Sequence, residues 1–350
     1  MTDNSEIFIH GIGAVSPAGW GVAPLRQALA RGERIPTSEL SRPGWNQPLR
    51  VRQVPPALPR PAFMSHPRLR RVSPIAHYAA AAALEALGDD AAEFQPRPAA
   101  NASRLGIIFC SMCGCVNYSR RFYDEVLKDP ATASPLIFPE TVFNSTASHL
   151  AALVGTSAIN YTLVGDPGTF LQGVALAADW LASERVDACL VVGAEEMDWL
   201  TADAMRLFQR DTILGDGAGA VYLRRESGEA PAFQLRAITS AHLFLENQSR
   251  SASARKARAE LSVDDTNNLL CDGLQGLERA DRDELSAWRD WPGPRLSPKK
   301  ILGEGLMASA AWQCAGAVDA LQQNRCTSAT VSIVGCNQQA IAAQFVRVPG

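Results

Sequence analysis

A strand, a tight turn and a helix follow one another without slack between residues 159 and 183, and a proline sits at the point of the turn. Ile159–Val164 (INYTLV) is apolar and β-branched and reads as a buried strand; Gly165-Asp166-Pro167-Gly168 is a sharp turn; Thr169–Ser183 has the apolar spacing of a helix. Asp166 suits an N-cap and Pro167 the first helical position, where a missing N–H costs nothing. A turn of this kind presents a side chain at a helix N-terminus, where the dipole lowers a thiol's pKa. Proline supplies neither a nucleophile nor an N–H. The geometry is that of a nucleophile elbow, and its reactive residue is missing.

The 350 residues are enough for a large core, as one large domain or two fused halves. A net charge of −3 argues against nucleic acid as the main partner. The polar, acidic opening Met1–Glu6 lacks the pattern of a signal peptide, and no apolar run reaches a membrane span, so a cytoplasmic protein is expected. Eight cysteines sit mostly in apolar segments, as reduced thiols do. Cys110, Cys113 and Cys115 invite a metal reading, but no histidine or second CxxC lies at a sensible spacing, so no metal or other cofactor is expected.

Eight blocks in order resemble the β-ketoacyl synthases of the thiolase fold. They are Phe8–Gly21 (FIHGIGAVSPAGWG), the helix with Ala79–Ala86, the strand Arg104–Phe109, Phe138–Gly155, Val186–Glu196, Ile213–Leu223 (ILGDGAGAVYL), Lys299–Leu321 and Thr330–Ala340. The resemblance implies an α/β thiolase-like fold, with duplicated βαβαβ halves stacked in five layers, α-β-α-β-α. The halves are expected at 1–228 and 229–350, joined by the charged connector Arg224–Ala232. By the same resemblance Pro167 occupies the position of the catalytic cysteine. Asp272 (in LLCDGLQG) and Glu304 (in KKILGEG) occupy those of two catalytic histidines, and Gly335–Gln338 replaces the segment carrying a gating phenylalanine. One fact needs no alignment: the histidines are His10, His66, His77, His149 and His242, so no imidazole comes from beyond 242.

Claisen condensation needs a thiolate for the acyl chain, imidazoles for the enolate, and N–H donors for the thioester oxygen. One oxyanion donor alone is worth about 3–4 kcal/mol. With all of these replaced, the chain reads as a non-catalytic member of the fold. It resembles a chain length factor, the inactive subunit that pairs with an active ketosynthase in type II polyketide synthases, with an aryl polyene or related pathway as the expected branch. The expected partners are an active ketosynthase and an acyl carrier protein, with neither nucleic acid nor membrane. The resemblance places the acyl tunnel and subunit interface at Met112, Tyr118, Phe122, Phe143 and Asn144, and along Ile159, Tyr161 and Leu163. Each bulky one is equally suited to ordinary core.

Two other classes stay open at this level. One is an acyltransferase or hydrolase with a relocated nucleophile, such as Ser145, Thr169 or Cys113; the other is a homodimeric scaffold for an acyl chain or carrier protein. Arginine-rich Pro67–Arg71 could meet an acidic carrier, or be a solvated helix entrance. His149 has no recognisable acid/base partner. Asp272 and Glu304 read as caps or salt-bridge partners, and Asp216 as a turn residue. Glu246–Glu260 reads as a surface loop or exposed helix, and Arg279–Pro298, with Trp288 and Trp291, as a surface segment covering an edge.

Overall fold

The computed structural model describes residues 6–94, 104–228, 231–244, 248–261 and 267–349. Ten strands carry the architecture: β1 (Phe8–Ser16), β2 (Leu105–Ser111), β3 (Asn160–Val164), β4 (Ala188–Glu195), β5 (Gly217–Arg224), β6 (Ala232–Ile238), β7 (Asn268–Cys271), β8 (Arg295–Leu296), β9 (Ser328–Val334) and β10 (Gln339–Val348). They pair in the order β8-β7-β9-β10-β6-β1-β5-β4-β2-β3. Outward from the β1–β6 contact the two arms have the same topology. β1-β5-β4-β2-β3 is matched by β6-β10-β9-β7-β8, with the two outer pairs of each arm parallel and the inner ones antiparallel. The arms touch at one register pair, Phe8 with Gln234. The expected junction at 228/229 falls at residues 229–230, outside the described residues.

Eight helices pack on these arms: α1 (Pro74–Leu87), α2 (Val116–Lys128), α3 (Ser145–Val154), α4 (Thr169–Ala182), α5 (Trp199–Phe208), α6 (Arg250–Ala259), α7 (Glu278–Ala287) and α8 (Met307–Gln322). α8 touches strands of both arms, and α4 lies beside it against β2 and β4. α1 and α3 cover the outside of the first arm, and α6, with α7 against it, the outside of the second. The result is the expected five layers. Their centre explains the alanine-rich composition of α8, in which every residue from Met307 to Leu321 is buried. A helix enclosed on all sides is apolar all round. Its approach to the first arm requires Gly219, where a Cβ would lie 2.7 Å from that of Ala311. The Trp312 indole locks the same contact, donating to the carbonyls of Val15 (2.9 Å) and Ala218 (3.0 Å).

Three local expectations change. The segment before the elbow is not a buried strand: β3 ends the first arm, pairs among the described residues only with β2, and leaves Tyr161 and Val164 exposed. Trp288 and Trp291 are buried rather than superficial, because α7 folds them under α6 while Arg295–Leu296 supplies the last strand of the second arm. In the segment read as loop or exposed helix, Glu246 lies outside the described residues. Beyond it α6 is a covering helix, burying Ser253, Ala254 and Ala257.

Candidate functional site

The elbow starts as expected and then differs by two residues. α4 begins at Thr169, so Pro167 precedes the helix instead of opening it. The turn is closed by Thr169 N–H donating to the Asp166 carbonyl (2.9 Å) and Phe170 N–H to that of Pro167 (3.2 Å). The Asp166 carboxylate accepts from Gly168 N–H (3.1 Å) but also reaches across to the turn before β10. There it accepts from the backbone N–H of Gln338 (3.0 Å) and Gln339 (3.3 Å) and from Gln339 Nε2 (3.2 Å). Gly335 allows this approach, since a Cβ there would lie 1.8 Å from Asp166 Oδ2. Asp166 is therefore the hub joining the elbow to residues 335–339, a role no local sequence signal announces.

On the other side of that turn lies a cluster of buried charge. Lys299 Nζ pairs with Glu304 at 2.8 Å, and Glu304 also accepts from Leu306 N–H (2.8 Å) and Gln275 Nε2 (3.3 Å). Asp272 pairs with Arg295 (3.4 Å) and accepts from Ser297 Oγ at 2.5 Å. Glu284 accepts from Gly273 N–H (3.1 Å) and the Ser332 hydroxyl (2.6 Å). Burial, and then the charge of Asp272, pushes the Glu284 carboxyl up to about 7; burial likewise raises Asp272. The space left beside Lys299, Glu304, Glu284 and Cys336 is only about 20 Å³, no larger than a water site. Carboxylates held this way offer no cationic or N–H donor to a developing enolate.

Among the described residues no imidazole or carboxylate hydrogen-bonds to the side chains suggested as relocated nucleophiles. Cys113 is half-buried, and burial followed by the charge of Glu195 raises its thiol pKa. Cys336 is pushed up to about 12 by burial, with Glu304 and Asp166 adding to it. Buried Ser145 contacts the Cys115 thiol at 3.3 Å. Thr169 is buried at the start of α4. His149 does have a partner, Glu140 Oε2 at 2.9 Å, which sequence spacing did not reveal. Asp216 is more than a turn residue: its buried carboxylate accepts from Val54 N–H (2.7 Å) and Tyr78 OH (3.3 Å), with burial pushing it up to about 6. Arg68, Arg70 and Arg71 stand exposed around buried Leu69. Glu195 accepts from the N–H groups of Met112 and Cys113 and fixes the loop after β2, while burial pushes its carboxyl up to about 8.

The residues expected at a tunnel and interface lie as follows. α2 buries none of its residues. Met112 and Tyr118 are half-buried, and half-buried Phe122 stacks on Phe138 at 5.5 Å between centroids. Phe143 packs its ring over Gly114 yet is 42% exposed; Asn144, beside it, is exposed at the start of α3. Ile159 and Leu163 are half-buried, while Tyr161 stacks edge-on against Trp180 at 5.1 Å. Leu127, Leu136, Phe138 and Val164 are each more than half exposed. Exposed apolar side chains, and a strand edge unpaired among the described residues, are features that proteins ordinarily cover.

Comparison with known proteins fits these observations. The sequence model of 3-oxoacyl-(acyl-carrier-protein) synthase III matches residues 167–240, from the elbow proline onward. The chain is 25% identical over 240 residues to 3-oxoacyl-(acyl-carrier-protein) synthase 2 of Vibrio cholerae, covering 62% of this chain and 57% of that protein. It is 34% identical over 110 residues to β-ketoacyl-(acyl-carrier-protein) synthase III of Rhodospirillum centenum, covering 30% and 32%. It thus spans 57% of the length of the first of these curated relatives and less of the others. Among solved structures it superposes on the ishigamide ketosynthase/chain length factor with a TM-score of 0.81 at 19% identity, over 98% of this chain and 99% of that one. The chain has the ketosynthase fold. A ketosynthase in complex with its chain length factor from Xenorhabdus doucetiae superposes with a TM-score of 0.78 at 14% identity, over 99% of each chain. Among the described residues no helix is long and apolar enough to cross a membrane, and no group of metal-ligating side chains is found.

Proposed function

We propose that this chain is a non-catalytic ketosynthase-like subunit of the chain length factor kind. It pairs with an active ketosynthase and shapes the chamber that receives the growing acyl chain in a type II polyketide or polyene pathway. The observation that carries the reading is Pro167: an elbow with its geometry retained and no nucleophile at its point. The carboxylates at 272 and 304, each bound up in an ion pair, support it, as do the exposed apolar side chains of α2 and of the β3 edge. An acyl carrier protein is the partner that would deliver chains to such a pair.

Incubation of the purified chain with acyl-carrier thioesters, followed by intact mass measurement, tests the missing chemistry. The reading expects no covalent acyl adduct; an adduct on Cys113, Ser145 or Thr169 would replace it with an acyltransferase. In the pair, Phe122→Ala or Phe143→Ala is expected to lengthen the product by opening the chamber.

A further inference from the structure

Two cationic side chains are buried among the described residues, Lys299 and Arg52. Lys299 has Glu304 beside it. Arg52 closes the strand Leu49–Arg52, is 7% exposed, and makes no ion pair among the described residues. Its Nε donates to the Ile35 carbonyl at 2.6 Å. Neither terminal nitrogen has a partner among the described residues, and neither is sealed from solvent.

The charges that bear on Arg52 have its own sign. Arg50 stands two positions earlier, on the same face of the strand. Arg34 directly precedes Ile35 and donates to the Gly276 carbonyl at 3.5 Å. A Cβ on Gly276 would lie 2.6 Å from Arg34 Nη2 and 3.4 Å from Lys300 Cγ, so a fourth cationic side chain passes the same glycine. Glu33 adjoins Arg34, and Glu39 lies across the strand from Arg50, yet neither pairs with any of the four among the described residues. Burial, and then the charges of Arg34 and Arg50, lower the Arg52 pKa. An uncompensated buried guanidinium is costly, and an anion beside it removes the cost. A carboxylate would offset one charge of this cluster. A terminal phosphate carries close to two, with three oxygens that guanidinium forks can share.

We propose that Arg34, Arg50 and Arg52, with Lys300 beside them, bind a terminal phosphate group, either inorganic phosphate or a small phosphate monoester. The inference is independent of the pairing proposed above, since all four residues come from this chain.

Calorimetric titration of the full chain at pH 8, where a terminal phosphate is a dianion, compares inorganic phosphate, methyl phosphate, dimethyl phosphate and acetate at matched ionic strength. Inorganic phosphate, methyl phosphate or both are expected to bind at least about tenfold tighter than the two singly charged probes, the scale of one hydrogen bond between charged groups. Tight binding of inorganic phosphate alone assigns the site to the free ion, and tight binding of methyl phosphate to a monoester. Arg34→Gln with Arg50→Gln should weaken that binding about tenfold or more while leaving the melting temperature in chloride unchanged, both side chains being exposed. Arg52→Gln should abolish it; if that variant does not fold, the exposed pair still decides. No binding of either terminal phosphate, equal affinity for dimethyl phosphate or acetate, or affinity that survives the exposed pair of substitutions overturns the proposal.

Discussion

Glu284 makes no ion pair among the described residues, although Asp272 and Lys299 lie near it. Its carboxyl, raised from an ordinary 4.5 to about 7, binds a proton more tightly in the folded chain than in the unfolded one. A raised folded pKa stabilises below the unfolded value, and the benefit is lost as pH rises through the folded one. Glu195, at about 8, acts in the same sense. Stability in urea is therefore expected to fall from about pH 5 to pH 8, and Glu284→Gln to flatten part of that slope; a rising profile would contradict it. Lys299 and Glu304 call for a different test. Lys299→Met would strand a buried carboxylate at a cost of about 3–5 kcal/mol, and adding Glu304→Met should recover most of it, both read by denaturant unfolding. Pro167→Cys would restore a thiol near a helix N-terminus but no imidazole. Residue 167 is buried, and such a variant is expected to yield no condensation product above background.

At the scale of elements, β3 joins the chain's exposed edge to the elbow. Tyr161 and Val164 face solvent beside an edge that carries no strand among the described residues. Tyr161→Glu with Val164→Glu should weaken pairing with a ketosynthase about thirtyfold or more, as loss of an interface hot spot does, while the isolated chain keeps its circular dichroism. Undiminished pairing would move the interface elsewhere. The core strands were legible because continuous apolar runs such as Val186–Glu195 have only one comfortable place, inside a covered sheet. Composition alone read β3 as buried, because an apolar edge strand and a buried strand have the same composition; only the resemblance put it at an edge. Trp288, Trp291 and Glu284 were hidden for a related reason. They lie in a charged, proline-containing stretch, and Ser332, which bonds Trp288 and Glu284, is 44 and 48 positions away from them. The elbow was readable to within two residues, whereas the grip of Asp166 on residues 338–339 spans 172 positions and has no local signature.

Across the whole molecule, two arms of identical topology enclose α4 and α8, and the division of the chain near 228/229 is the proposal that follows from their symmetry. Such a fold keeps its core, its elbow geometry and its free edge without needing a thiolate or an imidazole. Native mass spectrometry of the chain co-expressed with a ketosynthase that has an intact cysteine and two histidines tests the central claim most directly. The account predicts a 1:1 heterodimer of the two subunits. A monodisperse monomer beside an unpaired ketosynthase homodimer would contradict it.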